Sequence, residues 1–210
     1  MGTAERRARE RAEREEKILD AARALFVRHG YEAVTLRRIA QEIEYAPSMI
    51  YSFFKDKEAL MRKLCERDFA ALAEAFTQSL QTADPVQRIQ QMGHIYVDFA
   101  VKYPNHYKLM FMTPPLVEPT AEELSRRGDP VYDGHAALKK AVEAALASGN
   151  LRPEYQDSEL VAQTLWAGVH GVASLHIVMA DDPWIDWRAL DVRTKAMTDA
   201  LLHGFLAKLD

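Results

Sequence analysis

The chain has 210 residues, with 27 Lys+Arg against 31 Asp+Glu and a formal net charge of -4, a length that suits one large domain or two small ones. An apolar fraction of 48% with 28% charged residues excludes a wholly disordered or fibrous chain. The single cysteine, Cys65, excludes an internal disulfide framework and favours a reducing cytoplasm. No apolar run approaches the roughly 20 residues that span a bilayer, and the N-terminus is charged where an export signal would turn hydrophobic, so a cytoplasmic protein without membrane attachment is expected. The pI of about 6.0, taken alone, argues against a nucleic-acid partner.

Proline and glycine cut the chain into helical lengths, and no convincing period-2 pattern interrupts them, so the expected class is all-α with about nine helices. Residues 5–16 are almost wholly charge and alanine, which suits a solvated helix held by i,i+4 pairs. Five arginines precede Glu15, so this segment reads either as an arm toward an anionic partner or as a frayed solvated tail. From Ile18 an amphipathic pattern runs through Leu19, Ala22, Leu25 and Phe26 until Gly30 stops it. Thr35 is the expected cap of a short helix to Ile43, and Pro47 opens another through Phe53. Asp56 caps a long helix from Lys57 to about Leu80. Asp84-Pro85 opens a helix to Lys102, and Pro104 one through Met112. Residues 113–128 are expected to be irregular. Asp129-Pro130 starts a helix ending at Gly149, Asp157 or Ser158 one to Ala180, and Asp186 a last one to Lys208.

Two short helices packed between longer ones are what a helix-turn-helix requires. Its second helix must be short and present small or polar side chains to a groove about 12 Å wide. From Pro47 to Phe54, Ile50 and Phe53 are assigned inward, leaving Ser48, Met49, Tyr51 and Ser52 outward. Thr35, Tyr51, Lys55 and Lys57 are suited to phosphate contact, Lys57 at a helix N-terminus where free N–H groups also favour an anion. Arg37 and Arg38 read either as phosphate contacts or as simple surface charge.

The residues Lys17-Ile18-Leu19-Asp20-Ala21-Ala22, Leu25-Phe26, Gly30-Tyr31, Val34-Thr35, Ile39-Ala40, Ile50-Tyr51, Phe53-Phe54 and Lys57-Glu58-Ala59-Leu60 resemble the DNA-binding domain of the tetracycline-repressor (TetR) family of bacterial transcriptional regulators. The resemblance covers about residues 14–74, leaving 1–13 as a charged extension and 75–210 as an effector-binding and dimerisation domain. One departure stands out: where the family usually carries glycine in the turn, this chain has Ile43-Glu44-Tyr45-Ala46-Pro47. The run Trp166-Ala167-Gly168-Val169-His170-Gly171 resembles the tryptophan-histidine-glycine branch of the family.

The resemblance implies a homodimer on a near-palindromic double-stranded DNA operator, most naturally a repressor released by a small-molecule effector. The family's habit of pairing its last two long helices across a twofold axis assigns Leu165, Gly168, Val172, Leu175, Met197, Leu201 and Phe205 to the dimer interface. Tyr96, Phe99, Tyr103, Tyr107, Met110 and Phe111 form a stripe that reads as plain core or as an apolar pocket, with Trp166 and His170 as further lining; His170 either meets a ligand or satisfies a core carbonyl. His94 and Asp98 read as a polar pair rather than metal ligands, and Cys65 as a buried thiol. No cofactor is expected, and nothing positions a nucleophile, so an enzyme is not expected. The alternative is a helical small-molecule-binding protein without DNA-binding activity. The acidity is unevenly spread: residues 1–60 hold 12 Lys+Arg and 11 Asp+Glu, and residues 61–210 hold 15 and 20.

Overall fold

The computed structural model describes residues 2–114 and 116–207. It is all-α: ten α-helices and one 3₁₀ turn, with no strand among the described residues and a single isolated bridge between Leu151 and Leu206. Two compact units divide the chain, Met1–Asp68 with Asn105–Pro119, and Phe69–Pro104 with Thr120–Asp210.

In the first unit, α1 runs unbroken over Thr3–His29, so the charged segment continues the amphipathic helix instead of forming one of its own. Next come α2 (Leu36–Glu42), α3 (Pro47–Tyr51) and the start of α4 (Lys57–Thr77). Asp56 caps α4 as expected, its carboxylate accepting the Ala59 N–H at 2.7 Å. Ile18, Leu19, Val34, Ile39, Ile50, Leu60, Met61 and Leu64 are buried together at the centre. The segment 105–119 belongs to this unit: α6 (Pro104–Phe111) buries Leu109 in the same cluster, and Leu116 and Val117 pack against it. Cys65 is half-buried beside it.

A buried ion pair ties the helices of this unit. The Arg23 guanidinium donates from Nε and Nη2 to the two carboxylate oxygens of Asp68 at 3.1 and 2.7 Å, and both residues are almost wholly enclosed. Asp20 joins from α1 and His106 from α6. Two parallel N–H···O contacts fix orientation as well as charge, which sets α4 against α1 in one register.

The second unit holds the rest of α4, a 3₁₀ turn at Gln78–Gln81, α5 (Pro85–Lys102), α7 (Ala121–Ser125), α8 (Gly134–Ala147), α9 (Ser158–Met179) and α10 (Leu190–Phe205). Each of α5, α8 and α9 starts at an aspartate, Asp84, Asp133 or Asp157, whose side chain accepts backbone N–H groups of the first turn, the favoured N-cap arrangement.

Three expectations are corrected here. The stretch 113–128 is not wholly irregular: Thr120 and Glu123 form a reciprocal capping box that starts α7, while Pro115 lies outside the described residues. The helix assigned from Asp129-Pro130 starts at Gly134, because Asp133 outcompetes Asp129 as the cap and residues 129–132 form turns. The last helix spans Leu190–Phe205, and Leu206 then turns extended to bridge Leu151; Lys208, its expected end, lies outside the described residues.

Close approach of α5, α9 and α10 is made by glycine. A Cβ on Gly168 would lie 2.4 Å from Leu201 Cδ1 and 3.2 Å from Met197 Sδ, and one on Gly93 would lie 2.9 Å from Thr198 Cγ2. At such distances two helix backbones meet only where a side chain is missing.

Candidate nucleic-acid interface and effector site

The turn between α2 and α3 sets everything beyond it. Glu44 has φ +59, the left-handed region. The Tyr45 N–H reaches the Ala40 carbonyl at 2.8 Å and the Glu44 N–H the Gln41 carbonyl at 3.2 Å, the paired bonds of a Schellman ending. Glu44 therefore occupies the position where the family pattern carries glycine. Tyr45 follows it into the core margin with Lys17 Nζ 4.9 Å from its ring centroid, and Ala46 then caps α3 with Pro47 at its first position.

On α3, Ile50 is buried, and Ser48, Tyr51 and Ser52 are exposed with Met49 partly so. Phe53, assigned inward, is half-buried and packs against the core cluster with the Arg11 guanidinium 4.4 Å from its centroid, while its neighbour Phe54 is buried with Ile50. The register follows from the Schellman bond at Tyr45, which starts α3 at Pro47 and so turns Ile50 and Phe54 to one side.

Around this helix, Thr35 Oγ1 accepts the Arg38 N–H at 3.2 Å as the cap of α2, which leaves its own O–H free to donate. Arg37 is exposed and Arg38 partly so. Lys57 Nζ donates to the Tyr31 carbonyl at 3.0 Å and stands 4.0 Å from that ring's centroid, so it is held in place with further N–H donors to spare. Lys55 is exposed and 3.8 Å from the Asp56 carboxylate. Burial first, and then the carboxylates of Glu58, Glu32 and Asp56, raise the Tyr31 phenol above its usual range. The cations at the start of α4 thus sit among acids.

Sequence reasoning missed the neighbours that α1 supplies. Arg7, Glu10, Arg11 and Arg14 line a cleft of about 240 Å³ with Met49, Ser52 and Phe53 of the α3 segment, and Arg11 Nη2 donates to the Ser52 carbonyl at 3.4 Å. The signal was present as arginines at i, i+4 and i+7, one face of a helix.

In the second unit the expected effector residues Tyr96, Phe99, Trp166 and His170 are placed on α5 and α9. Trp166 Nε1 donates to the Tyr96 hydroxyl at 3.0 Å, and that hydroxyl lies 3.0 Å from His170 Nδ1. The direction of the phenol–imidazole contact is set by the His170 tautomer, and a neutral ring with Nδ1 unprotonated accepts the phenol proton there. Burial lowers the His170 pKa, favouring that neutral ring. His135, not anticipated, lies 6.0 Å from the Trp166 ring and pairs through Nε2 with Glu159 at 2.7 Å. Tyr103 caps the end of α5, its ring 5.3 Å from Phe99. Tyr107, Met110 and Phe111 lie on α6, in the first unit, with Tyr107 fully buried and its ring 5.3 Å from Phe111. The expected set is therefore divided between the two units.

Of the residues expected at a dimer interface, Leu165, Val172 and Phe205 are buried in the protomer's own core. Gly168 meets Met197 and Leu201 of its own α10. Leu175 is 45% exposed. Its face of α9 also carries Ala167, exposed, Val178, 61% exposed, and Gly171, around which a Cβ would find open space.

Among the described residues no group of three His, Cys, Asp or Glu is placed to hold a metal ion, and no helix is long and apolar enough to cross a membrane.

A three-helix unit with an exposed short second helix is the architecture of helix-turn-helix proteins, and comparison with known proteins agrees. The family model described as "Bacterial regulatory proteins, tetR family" matches residues 18–64, and "Tetracyclin repressor-like, C-terminal domain" matches residues 89–183. The chain belongs to the TetR family. The matched description does not name the tryptophan-histidine-glycine branch. The HTH-type transcriptional repressor AcnR of Corynebacterium diphtheriae is 36% identical over 66 residues, 31% of this chain and 35% of that protein. The chain thus spans about a third of the length of the curated relatives it matches. A putative tetR family transcription regulator from Shewanella sp. PV-4 superposes with a TM-score of 0.70 at 19% identity, over 92% of this chain and 98% of that one. The protein of a SmeT–triclosan complex does so at 0.67 and 22%, over 92% and 91%.

Proposed function

We propose that this protein is a ligand-responsive transcriptional repressor that binds operator DNA as a homodimer in the cytoplasm. The observation that carries the reading is the α3 surface: Ser48, Tyr51 and Ser52 are exposed on a short helix that Ile50 and Phe54 anchor from behind. Residues 14–74 form the DNA-binding domain, with Ser48, Met49 and Ser52 facing base edges and Thr35, Arg37, Arg38, Tyr51, Lys55 and Lys57 facing phosphates. Residues 75–210 bind the effector and dimerise.

Two α3 helices related by a twofold axis read successive major grooves, so the operator is a near-palindrome with half-sites about one helical turn apart or slightly more. The exposed stripe of α9, Ala167, Gly171, Leu175 and Val178, is the surface through which the copies meet. The effector is a small apolar or aromatic molecule with a polar group that competes for the Tyr96 hydroxyl or His170; SmeT, which shares the fold and forms a complex with triclosan, is a precedent for a small-molecule ligand. The Trp166–His170–Gly171 run supports membership of the tryptophan-histidine-glycine branch. Effector and operator oppose one another because the effector binds the two conformations with different affinity.

The test is retention of DNA from upstream of the protein's own gene, measured across a salt series. Phosphate-anchored binding weakens steeply between low and physiological salt. Absence of any salt-sensitive retention, with intact effector binding, would leave a small-molecule-binding protein without DNA-binding activity.

A further inference from the structure

The first four turns of α1 look electrically neutral by composition, but the structure sorts their charges in space. Every glutamate is engaged. Glu5 accepts the Gly2 N–H at 2.9 Å, Glu10 pairs with Arg6 at 3.1 Å, Glu13 with Arg9 at 3.6 Å, and Glu15 and Glu16 both meet Arg67 of α4. Arg7, Arg11 and Arg14 stand apart. Among the described residues Arg7 and Arg14 make no ion pair, and Arg11 is spent on the Ser52 carbonyl and the Phe53 ring. All three are exposed. At 3.6 residues per turn they share one face within an arc of about 60°. That face looks onto the cleft shared with Met49, Ser52 and Phe53.

We infer that the N-terminal part of α1 is a second DNA-contacting element, a rigid basic rail beside the recognition helix that clamps backbone phosphates flanking each half-site. The inference rests on the DNA-binding reading above and extends it to residues outside the matched helix-turn-helix. Arg11 is the hinge pin, because its contacts to Ser52 and Phe53 fix the rail to the end of α3. Arg7 and Arg14 are the contact groups. They lie about 10 Å apart along the helix axis, a distance that covers about three phosphates of one strand at 3.4 Å of duplex axis each. Arginine suits this role, since its planar fork meets phosphate in two parallel hydrogen bonds. Glu10 lines the same cleft, but Arg6 already neutralises it.

The experiment compares wild type, the double variant Arg7→Gln/Arg14→Gln, and the control Arg9→Gln on the opposite face. Each binds a labelled mixed-sequence duplex and the DNA upstream of the protein's own gene across a salt series. Each neutralised phosphate adds about 0.9 to the slope of log K against log salt. The double variant is therefore expected to lose between about 1 and 2 slope units on both probes, and the Arg9 control none. Its hydroxyl-radical footprint shortens at both outer edges while the central protections persist. A wild-type slope and full-length footprint for the double variant would overturn the rail and leave the helix-turn-helix reading standing. If wild type itself shows no salt-sensitive binding, both readings fall together. All three positions are exposed and helical, and circular dichroism confirms equal folding. Should the double variant unfold, Arg7→Lys/Arg14→Lys substitutes for it: its slope is kept and its affinity falls if the arginines clamp phosphates, whereas unchanged affinity counts against the clamp.

Discussion

Glu44→Gly should stabilise the protein, and the molecule contains its own standard for how much. The same helix ending occurs at two places. After α8, Gly149 has φ +72, its N–H meets the Leu146 carbonyl at 3.0 Å, and the Asn150 N–H meets the Ala145 carbonyl at 3.1 Å. After α2 the same pair of bonds is made with Glu44 at φ +59. A side chain in the left-handed region costs about 1–2 kcal/mol, and the Glu44 side chain is exposed. Against this gain stands the greater freedom of glycine in the unfolded chain, about 0.5–1 kcal/mol. The net is about 0.5–1 kcal/mol of stabilisation, which at this chain length raises Tm by about 1–4 °C. The mirror substitution, Gly149→Ala, should lower stability by about 1 kcal/mol, because it adds the same strain with no compensating contact. Guanidinium unfolding followed by circular dichroism measures both. A Glu44→Gly variant less stable than wild type, beside a destabilised Gly149→Ala, would refute the claim that Glu44 carries strain in this turn.

The two α9 glycines should part company. Gly168→Ala forces a Cβ onto Leu201 and Met197 and should cost about 1–3 kcal/mol as overpacking. Gly171→Ala meets open space in a helix interior and should raise protomer stability by about 0.5–1 kcal/mol; a bulky Gly171→Trp should then dissociate the proposed dimer in sedimentation velocity, and an unchanged mass would remove that face from the interface. Tyr96→Phe takes away the acceptor of the Trp166 N–H and the partner of His170 Nδ1. It should cost about 0.5–1.5 kcal/mol for each hydrogen bond lost and shift Trp166 fluorescence; an unchanged spectrum would sink the network. His170 has a pKa lowered by burial, so the unfolded state binds more protons than the folded one between the two values. Its contribution is complete above the ordinary imidazole pKa of about 6.5 and is lost as pH falls below it. Thermal melts of wild type should fall more between pH 7.5 and about 5.5 than those of His170→Gln; parallel curves would refute the assignment.

Helix positions were legible wherever a local signal stood alone. At Asp84-Pro85 and at the adjacent Asp157 and Ser158 the cap signals leave at most one residue of choice, and the helices begin there. The helix expected from Asp129-Pro130 begins instead after Asp133, whose carboxylate bonds the His135 and Ala136 N–H groups at once, while Asp129 is held in the preceding turn by the Val131 N–H. The recognition helix was legible in position and in its outward face of Ser48, Tyr51 and Ser52, but not in the depth of Phe53 and Phe54, which are adjacent and equally apolar. Both rings pack on the core, Phe54 buried and Phe53 half-buried beneath Arg11. A related limit applies to the residues expected at a dimer interface. Apolar residues on α9 point to a buried surface, but Leu165 and Val172 are consumed within the protomer, and periodicity cannot tell a helix's own neighbours from those of a second copy.

Net charge is the least informative of the quantities read from the chain, and the α1 extension shows why. Electrostatic attraction to a phosphate backbone acts over about 8–10 Å at physiological ionic strength, so what counts is the charge within that radius of the DNA-facing surface. Acids that are paired on the far side of a helix contribute little there. Glu13 with Arg9, and Glu15 and Glu16 with Arg67, form closed dipoles, whereas Arg7 and Arg14 retain whole charges beside the recognition helix. At the start of α4 the reverse holds, since Lys55 stands against Asp56 and the acids around Tyr31 offset Lys57. An operator phosphate must compete with those carboxylates at α4, whereas the carboxylate in the α1 cleft, Glu10, is already paired with Arg6. Binding to arbitrary DNA should therefore be weak at physiological salt and should depend more on the α1 rail than on the lysines. Removing Lys55 and Lys57 together should flatten the salt slope on mixed-sequence DNA less than removing Arg7 and Arg14, and the opposite order would show that the paired lysines are released on binding.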